Sequence, residues 1–399
     1  MSLAAAARPP HAVARGCLAG RLRDAWLDLR DRLIGSARFR SLAAAFPLTR
    51  PIARGQSRAL FDLCAGFVYS QVLVACVRLD LFRYLAEAPR TAEDVAAFAA
   101  LSVDGAQRLL DAAVSLRLLS PRSGGRYGLG SLGAVVAADP GVAAMVAHHA
   151  ALYRDLADPV GLLRRDRLTS LAEYWPYAAV EGAAAVTAEQ VAEYSALMAA
   201  SQPMVAAEIL AAYRFSRHSK LLDLGGGEGA FVEAVAARVP ALSLALFDLP
   251  AVAERARARL AQHGVRAEVF AGDFRTDPIP QGFDAITLVR IAHDHDDATV
   301  GALFRSVRRA LVPGGTLILA EPLAGTRGAE PAGDAYFGLY LWAMGRGRPR
   351  TAGTYRRMLA EAGFVAVREQ PTRIPLLVRV LAAQVGKGGD HGPASVNRA

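Results

Sequence analysis

From Ser219 onward the sequence alternates short apolar runs with helical segments, and this order restricts the fold more than any other feature. The apolar runs are continuous rather than alternating, as in strands that are covered on both faces; they include KLLDL, LSLALFD, RAEVFA, FDAITLV, TLILAE, FVAVREQ and IPLLVRVL. Strands separated by helices pair in parallel, so their carboxyl ends share one edge of the sheet. We therefore predict an α/β fold with a doubly wound, mostly parallel sheet that binds its ligand at this edge.

The region before the sheet is Ala-rich and helical. Residues 57–119 predict short amphipathic helices with Thr91 and Ser102 as N-caps, and two short runs around Gly124-Gly125 predict a β wing. This pattern is typical of a winged-helix-like domain. Its second helix, DGAQRLLDAAVSLRLL, lacks the clustered Asn, Gln and Lys that favour base recognition, so we expect no nucleic-acid partner there.

The positive charge of the chain is concentrated at its N-terminus. The formal net charge is +9 over 399 residues, and residues 1–60 hold eleven Arg against three Asp. Trp26, Leu29 and Leu33 alternate with these charges at helical spacing, which predicts a cationic helix. Three interpretations stay open for this arm: a solvated or self-packing segment, contact with an anionic membrane surface, and contact with nucleic acid.

Composition excludes several classes of protein. Hydrophobic residues make up 53% and charged residues 21%, which rules out a disordered or fibrous chain. We find no unbroken apolar run near the roughly 18 residues that a membrane-spanning helix needs. The three cysteines lack CxxC or Cys/His spacing, so we expect neither a disulfide framework nor a metal site, and a cytoplasmic location fits.

The first strand of the sheet runs into a glycine loop with the pattern D-x-G-G-G-x-G, residues 223–229. Taken alone the loop is ambiguous, because it also fits the dinucleotide pattern G-x-G-x-x-G/A, and Asp248 at the end of the second strand suits a ribose in both cases. Asp223 can bind a cationic amino group, Asp273 can contact an adenine amine, and the loop supplies no basic group for a pyrophosphate. These features favour a cationic, phosphate-free nucleoside, S-adenosylmethionine.

The motifs D-x-G-G-G-x-G, FDLP, GDF and HDxxD follow one another in this order behind the winged segment. Over roughly residues 57–381 they resemble the plant-type small-molecule O-methyltransferases. Within that class, residues 46–82 and 336–351 are similar to the hydroxyneurosporene O-methyltransferases of bacterial carotenoid biosynthesis. Those enzymes methylate the tertiary 1-hydroxyl of an acyclic carotenoid on the route to spheroidene and spirilloxanthin.

The resemblance implies a Rossmann-like S-adenosylmethionine-dependent methyltransferase domain and an N-terminal helical, winged-helix-like dimerisation domain. We place the dimerisation domain at residues 46–205 and the methyltransferase domain at 206–385, with a basic arm at 1–45 and a disordered tail at 386–399. A homodimer is therefore expected. Its substrate would be a small apolar hydroxylated molecule, and the enzyme would lie in the cytoplasm or peripherally at the photosynthetic membrane.

Site residues also follow from the resemblance. The cofactor is expected to contact Asp223, Gly225, Gly227, Gly229, Asp248, Leu249, Asp273, Phe274 and Arg290. His293 occupies the general-base position, with Glu321 as the carboxylate that orients it and Asp294 completing the His-Asp pair. The acceptor is expected near Tyr153, Met198, Met204, Tyr336, Phe337, Tyr340 and Met344.

One departure from the family pattern concerns the partners of the base. Pro349 stands where plant members carry a second carboxylate, which predicts one carboxylate partner for His293 rather than two. Alternatives to the carotenoid acceptor are a phenolic polyketide or a quinone. A non-methylating relative on the same fold and a DNA-binding regulator are the remaining alternatives.

Overall fold

A computed structural model of the chain describes residues 10–166, 168–174 and 188–387. The predicted tail lies outside these residues except for its first two positions. The chain divides into two compact units, Met1–Ala75 and Cys76–Ala399. The domain boundaries derived from the sequence stay predictions.

The first unit is helical. It contains the helices Pro10–Gly35 and Ala37–Ala45 and most of Arg50–Arg78. Ser36 ends the first helix and caps the second, because its side chain accepts a hydrogen bond from the Phe39 N–H. Although Asp62 interrupts its apolar run, the helix Arg50–Arg78 is long and apolar enough to cross a bilayer, a property it shares with core helices of soluble proteins.

The second unit opens with the predicted winged arrangement. Thr91 and Asp94 form a capping box, and Ser102 accepts from the Gly105 N–H, so both predicted N-caps are present. The wing is the antiparallel pair of β1 (Leu119–Arg122) and β2 (Arg126–Leu129), which turns through Gly124 and Gly125 at positive φ. The helices of this part are Leu81–Glu87, Ala92–Ala99, Val103–Ser115, Ser131–Ala138, Pro140–Asp155, Pro159–Arg164 and Ser170–Tyr174.

Within the described residues, the main sheet has seven strands: β3 (Lys220–Leu224), β4 (Ser243–Asp248), β5 (Glu268–Ala271), β6 (Phe283–Val289), β7 (Leu311–Glu321), β8 (Val365–Gln370) and β9 (Arg379–Gln384). Their order across the sheet is β5-β4-β3-β6-β7-β9-β8. Strands β3 to β7 pair in parallel, and β9 runs antiparallel to both β7 and β8. The predicted α/β class with a mostly parallel sheet is confirmed.

Helices cover both faces of the sheet because its strands are apolar on both sides. In β3, Leu221 packs into one core and Leu222 into the other, as the two-residue repeat of a strand requires. The first core takes the helices Ala188–Ala212, Ala230–Arg238 and Pro250–Gln262, and the second takes Asp297–Ala310 and Ala352–Glu361. A π-helical turn, Pro331–Phe337, leads into the helix Gly338–Met344. This architecture brings the carboxyl ends of β3, β4 and β6 to one edge.

Candidate active site

The glycine loop after β3 closes tightly because its backbone enters conformations that side chains resist. Gly225 has φ of 73°, and a Cβ there would lie 2.6 Å from the Ile291 side chain. A Cβ on Gly226 would lie 2.7 Å from Asp223 Oδ2. Side chains at these two positions would therefore clash with Ile291 and Asp223. The loop borders a cavity whose other lining includes Met198, Gln202, Asp248, Leu249, Asp273, Phe274, Arg275, Arg290, Asp294 and His295.

Asp223 is buried and only half satisfied. Its Oδ1 accepts a 2.7 Å hydrogen bond from Thr287, whereas Oδ2 has no hydrogen-bond partner among the described residues. Burial raises the pKa of this carboxyl to about 7, against the opposing effect of the Thr287 hydroxyl. A buried oxygen without a donor suits a cationic ligand in the adjoining cavity, because an ammonium group supplies both charge and donors.

Asp248 connects the end of β4 to the glycine loop. Its Oδ2 accepts from the Gly227 N–H at 2.8 Å and its Oδ1 from the Leu249 N–H at 2.7 Å. Burial raises the pKa of Asp248 to about 6, although these two hydrogen bonds act in the opposite direction. A carboxylate can accept about four hydrogen bonds, so Asp248 keeps the capacity to bind a ribose diol.

Asp273 lies at the cavity but is already bonded to a neighbour. Arg275 binds both of its carboxylate oxygens, with Nη2 at 2.7 Å from Oδ2. Burial favours a raised pKa, yet the hydrogen bonds and charge of Arg275 hold the pKa of Asp273 below its usual range. Two basic side chains do lie near the site, and each is bonded to a carboxylate: Arg275, which lines the cavity, to Asp273, and Arg255 to Glu228 of the loop.

Arg290 turns the chain sharply after β6. Its φ of 57° lies in the left-handed region, which is uncommon for a residue with a side chain. Its guanidinium lines the cavity and binds the helix Ala188–Ala212 through Ser201, Gln202 and the Met198 carbonyl. The side chain predicted to contact the cofactor therefore also anchors a helix beside the cavity.

Arg290 begins a turn that brings the His293 side chain against Glu321. Glu321 lies at the end of β7 and has no exposed surface. Glu321 Oε1 accepts from the N–H groups of Ile291 and Ala292 at 3.0 and 2.7 Å, and Oε2 is hydrogen-bonded to His293 Nδ1. One oxygen thus orients the turn and the other orients the imidazole.

His293 has a second carboxylate neighbour, contrary to the expectation of one. Asp294 Oδ1 lies 3.0 Å from His293 Nε2, so the adjacent residue occupies the nitrogen that Glu321 leaves open. Burial lowers the pKa of His293, but the charges of Asp294 and Glu321 outweigh it and raise the pKa to about 10. At neutral pH the imidazole is therefore protonated and lies between two carboxylates.

The segment that contains Pro349 packs against this turn through a buried arginine. Arg350 is 2% exposed and donates to the carbonyls of Ala292 and His295 at 2.8 and 2.7 Å. Its Nε lies 2.8 Å from Asp297. Gly347 passes so close that a Cβ there would be 2.6 Å from the His293 carbonyl. Plant members carry a carboxylate in this segment, whereas in this chain the segment binds the backbone carbonyls of the turn that contains His293.

An aromatic cluster continues from His293. The Phe337 ring lies 6.0 Å from the imidazole and 4.9 Å from Tyr336, which stacks on Tyr340. The hydroxyls of Tyr336 and Tyr340 bond to His149 and His148 at 2.7 and 2.9 Å.

Sequence reasoning missed these two histidines, because their tyrosine partners are 192 and 187 positions away. Burial lowers the pKa of His148 to about 4 and lowers that of His149 as well, so both are neutral.

The remaining predicted acceptor residues divide into two groups. Tyr153 packs edge-on against His149, and Met198 lines the cavity. Met344 lies in the same buried core cluster as Tyr340, and Tyr336 and Phe337 pack against that cluster. Met204 is half-buried on the helix Ala188–Ala212 and does not line the cavity. Of the predicted acceptor residues, Met204 is therefore the one that lies apart.

Comparison with known proteins identifies similar chains. Residues 153–365 match the model of an O-methyltransferase domain, and residues 61–139 match that of an O-methyltransferase dimerisation domain. Demethylspheroidene O-methyltransferase of Cereibacter sphaeroides is 42% identical, covering 88% of this chain and 93% of the relative. The Rhodobacter capsulatus protein of the same name is 41% identical, covering 89% of each chain. Human N-acetylserotonin methyltransferase, solved with S-adenosylmethionine, has a TM-score of 0.68 at 26% identity, covering 83% of this chain and 98% of the human one.

We predict that Asp223 makes the binding of S-adenosylmethionine depend on pH. Protonation of its carboxyl removes the charge that attracts the ligand ammonium, and its pKa is about 7. We expect the dissociation constant to rise about tenfold between pH 8 and pH 6. Calorimetric titration at both values measures this. Asp223→Asn should bind weakly with little change over the same range, and an unchanged pH dependence in that variant would contradict the assignment.

Arg350 is expected to hold the His293 turn. Arg350→Met leaves two buried carbonyls without a charged donor, so the free energy of unfolding should fall by about 1.5–3 kcal/mol. The rate of methyl transfer should fall more than cofactor affinity does. Urea unfolding and kinetics measure the two effects. Arg348→Met is the matched control, because Arg348 also pairs with Asp297 but is exposed; equal effects in both variants would refute a specific clamp.

Proposed function

This chain belongs to the family of S-adenosylmethionine-dependent O-methyltransferases with an N-terminal dimerisation domain, and we propose that its acceptor is the tertiary 1-hydroxyl of an acyclic carotenoid. Two demethylspheroidene O-methyltransferases at 41–42% identity, each aligned over nearly nine-tenths of this chain, support that choice. The match to the dimerisation model supports a homodimer. A cytoplasmic enzyme at the surface of the photosynthetic membrane would meet such an acceptor.

The observation that carries the proposal is the uncharged aromatic cluster beside His293. Phe337 and Tyr336 are half-buried and so keep surface for a ligand, and their histidine neighbours are neutral. An acyclic polyene offers flat, apolar surface that packs on aromatic rings and supplies no charge to satisfy. The hydroxylated end of such a molecule would reach His293 while its chain lies along the cluster.

Different parts of the cofactor would contact different residues that line the cavity. Asp223 would take the ammonium group, Asp248 the ribose hydroxyls, and Phe274 with Asp273 the adenine side, while Gly225 and Gly227 leave room for the methionine portion. When bound, S-adenosylmethionine supplies an electrophilic methyl group on a sulfonium. Transfer forms a C–O bond, breaks a C–S bond and releases the hydroxyl proton, for which the protein must provide an acceptor.

The pKa of the acceptor hydroxyl determines when its proton can be transferred to the base. A phenol has a pKa near 10, whereas an aliphatic alcohol is closer to water at roughly 15.7. Removing the alcohol proton completely at the pKa of an ordinary histidine, about 6.5, would cost about 12 kcal/mol. The proton must therefore leave as the C–O bond forms. Positioning of the hydroxyl about 3 Å from the methyl group in a dry pocket supplies much of the rate.

We assign His293 Nε2 as the proton acceptor, with Glu321 holding the opposite nitrogen. Two carboxylates raise the pKa of His293 to about 10, which makes its neutral form a stronger base toward an alcohol. The same effect makes that form scarce at neutral pH. The acceptor hydroxyl must replace Asp294 at Nε2, so the Asp294 carboxylate is the group that changes partner during the reaction.

Replacing His293 tests the base. His293→Ala should keep its affinity for S-adenosylmethionine and lose methyl transfer by about 10²–10⁴-fold, the usual contribution of general-base catalysis. Single-turnover kinetics with bound cofactor measures the loss. Turnover at the wild-type rate would eliminate the assignment.

The pH profile of kcat/KM tests the charge environment of the base. Wild-type activity should rise with pH toward about 10, because the active form is deprotonated. Asp294→Asn removes one carboxylate that raises the pKa of His293, so its rise should occur at lower pH. If the pH profile of Asp294→Asn is the same as that of the wild type, the rise in kcat/KM does not report the deprotonation of His293.

The acceptor class is tested directly by incubating the protein with isotopically labelled S-adenosylmethionine. One set of reactions contains a 1-hydroxy acyclic carotenoid in detergent and the other a panel of phenols and quinones. We expect label in the carotenoid as a methyl ether. Label confined to phenols would keep the enzyme class and overturn the carotenoid acceptor, and the absence of label from every acceptor in a cofactor-binding protein would favour a non-methylating relative.

A further inference from the structure

Two consecutive helices of the first unit expose large apolar side chains along one face each. In the helix Pro10–Gly35 the side chains that share one face are Leu22, Trp26, Leu29 and Leu33, which are 41–66% exposed; Ile34, 38% exposed, lies about 120° from Leu22, outside that face. Their spacing of four, three and four residues places them in one stripe. Isolated exposed apolar residues are ordinary, whereas a continuous stripe indicates a surface that something covers.

Charges on the same helix are sorted around this stripe. Arg21 and Arg23 flank Leu22 in sequence. Arg30 follows Leu29, and Arg32 precedes Leu33. At about 100° per residue, these four arginines form one row on each side of the stripe. The helix's three acidic residues, Asp24, Asp28 and Asp31, lie about 180–240° from Leu22 on the far side. The guanidinium of Arg30 lies 5.7 Å from the Trp26 ring centroid, beside the stripe, and pairs with Asp31 at 2.7 Å, an exposed contact that a lipid phosphate would have to replace.

The helix Ala37–Ala45 repeats the arrangement. Phe39, Leu42 and the C-capping Phe46 are 40–69% exposed and spaced three and four apart, and Arg38 and Arg40 flank Phe39. None of the residues in this helix is buried. Arg40 also donates to the carbonyls of Ile34 and Gly35, which connects the second helix to the end of the first.

We infer that residues 21–46 bind the surface of a bilayer that contains anionic lipids. An apolar stripe between two rows of arginine, with acidic residues opposite, matches a helix lying in the headgroup region. The apolar side chains would enter the acyl boundary, while the arginines extend to lipid phosphates.

Two other partners fit the observations less well. Nucleic acid is bound through its phosphates and would leave Trp26 and Leu29 uncovered. A second copy of the chain is better assigned to the matched dimerisation segment, which begins at residue 61, after these helices.

Vesicle binding by the full-length protein tests the inference without substrate or cofactor, so its result is independent of the acceptor's identity. We would measure cosedimentation with phosphatidylcholine vesicles and with equimolar phosphatidylglycerol and phosphatidylcholine vesicles. Binding should be at least about tenfold stronger to the anionic vesicles and should weaken with added salt. Equal binding to both vesicles, or binding to neither, would overturn the proposal.

Two variants separate the stripe from the charge. Trp26→Ser with Leu29→Ser should abolish most vesicle binding by removing the inserted side chains. Replacing Arg21, Arg23, Arg30 and Arg32 by Gln should do the same. The charge-matched control replaces four exposed arginines of the second unit by Gln, namely Arg238, Arg266, Arg305 and Arg357, and should bind as wild type.

Other measurements on the same proteins decide between partners. Unchanged affinity for S-adenosylmethionine verifies that the cofactor site of each variant is folded, and an unchanged helical circular-dichroism signal verifies the same for the substituted helix. If the parent binds duplex DNA but no vesicle, the arm is a nucleic-acid surface and the proposal fails. If the Trp26 and Leu29 variant becomes monomeric and the parent binds no vesicle, the stripe belongs to a second copy. Equal loss of vesicle binding in the control variant would also refute a localised lipid surface.

Discussion

The buried carboxylate of Glu321 determines the geometry around which the site is built. A buried charge is expensive unless it is hydrogen-bonded and paired, and Glu321 is satisfied by two backbone N–H groups and by His293. Those N–H groups belong to the residues directly after Arg290, so the left-handed turn at Arg290 is the bend that presents them. Glu321, at the end of β7, thereby fixes the backbone conformation of the residues after β6 and the orientation of the His293 imidazole.

The same turn is secured on its opposite side by Arg350. Glu321 binds its N–H groups, and Arg350 binds its carbonyls, so both kinds of backbone group meet a charged partner. Backbone that leaves regular structure inside a protein needs such partners, because unpaired polar groups lose the hydrogen bonds that water would give. The change of partner proposed for the Asp294 carboxylate would then require no movement of these peptide groups.

The strand and helix order, the glycine loop and the N-caps could be predicted from sequence because each depends on residues within a few positions of one another. Thr91 and Asp94 show this, being three residues apart. Asp273 and Arg275 are also close in sequence, but the sequence alone does not show whether the Asp273 carboxylate is paired or free. The bonds of His148 and His149 to Tyr340 and Tyr336 join segments that only the tertiary fold brings together, so no spacing rule could find them.

The hydrogen bonds of Arg290 have a consequence for turnover. They fasten the helix Ala188–Ala212 to the turn beside the glycine loop, and this helix also packs against Pro140–Asp155, which carries His148 and His149. The same helix thus borders the cavity on one side and contacts the helix that bears the two histidines on the other. A tilt of this helix would change both places together, which would couple exchange of the cofactor to entry of the acceptor.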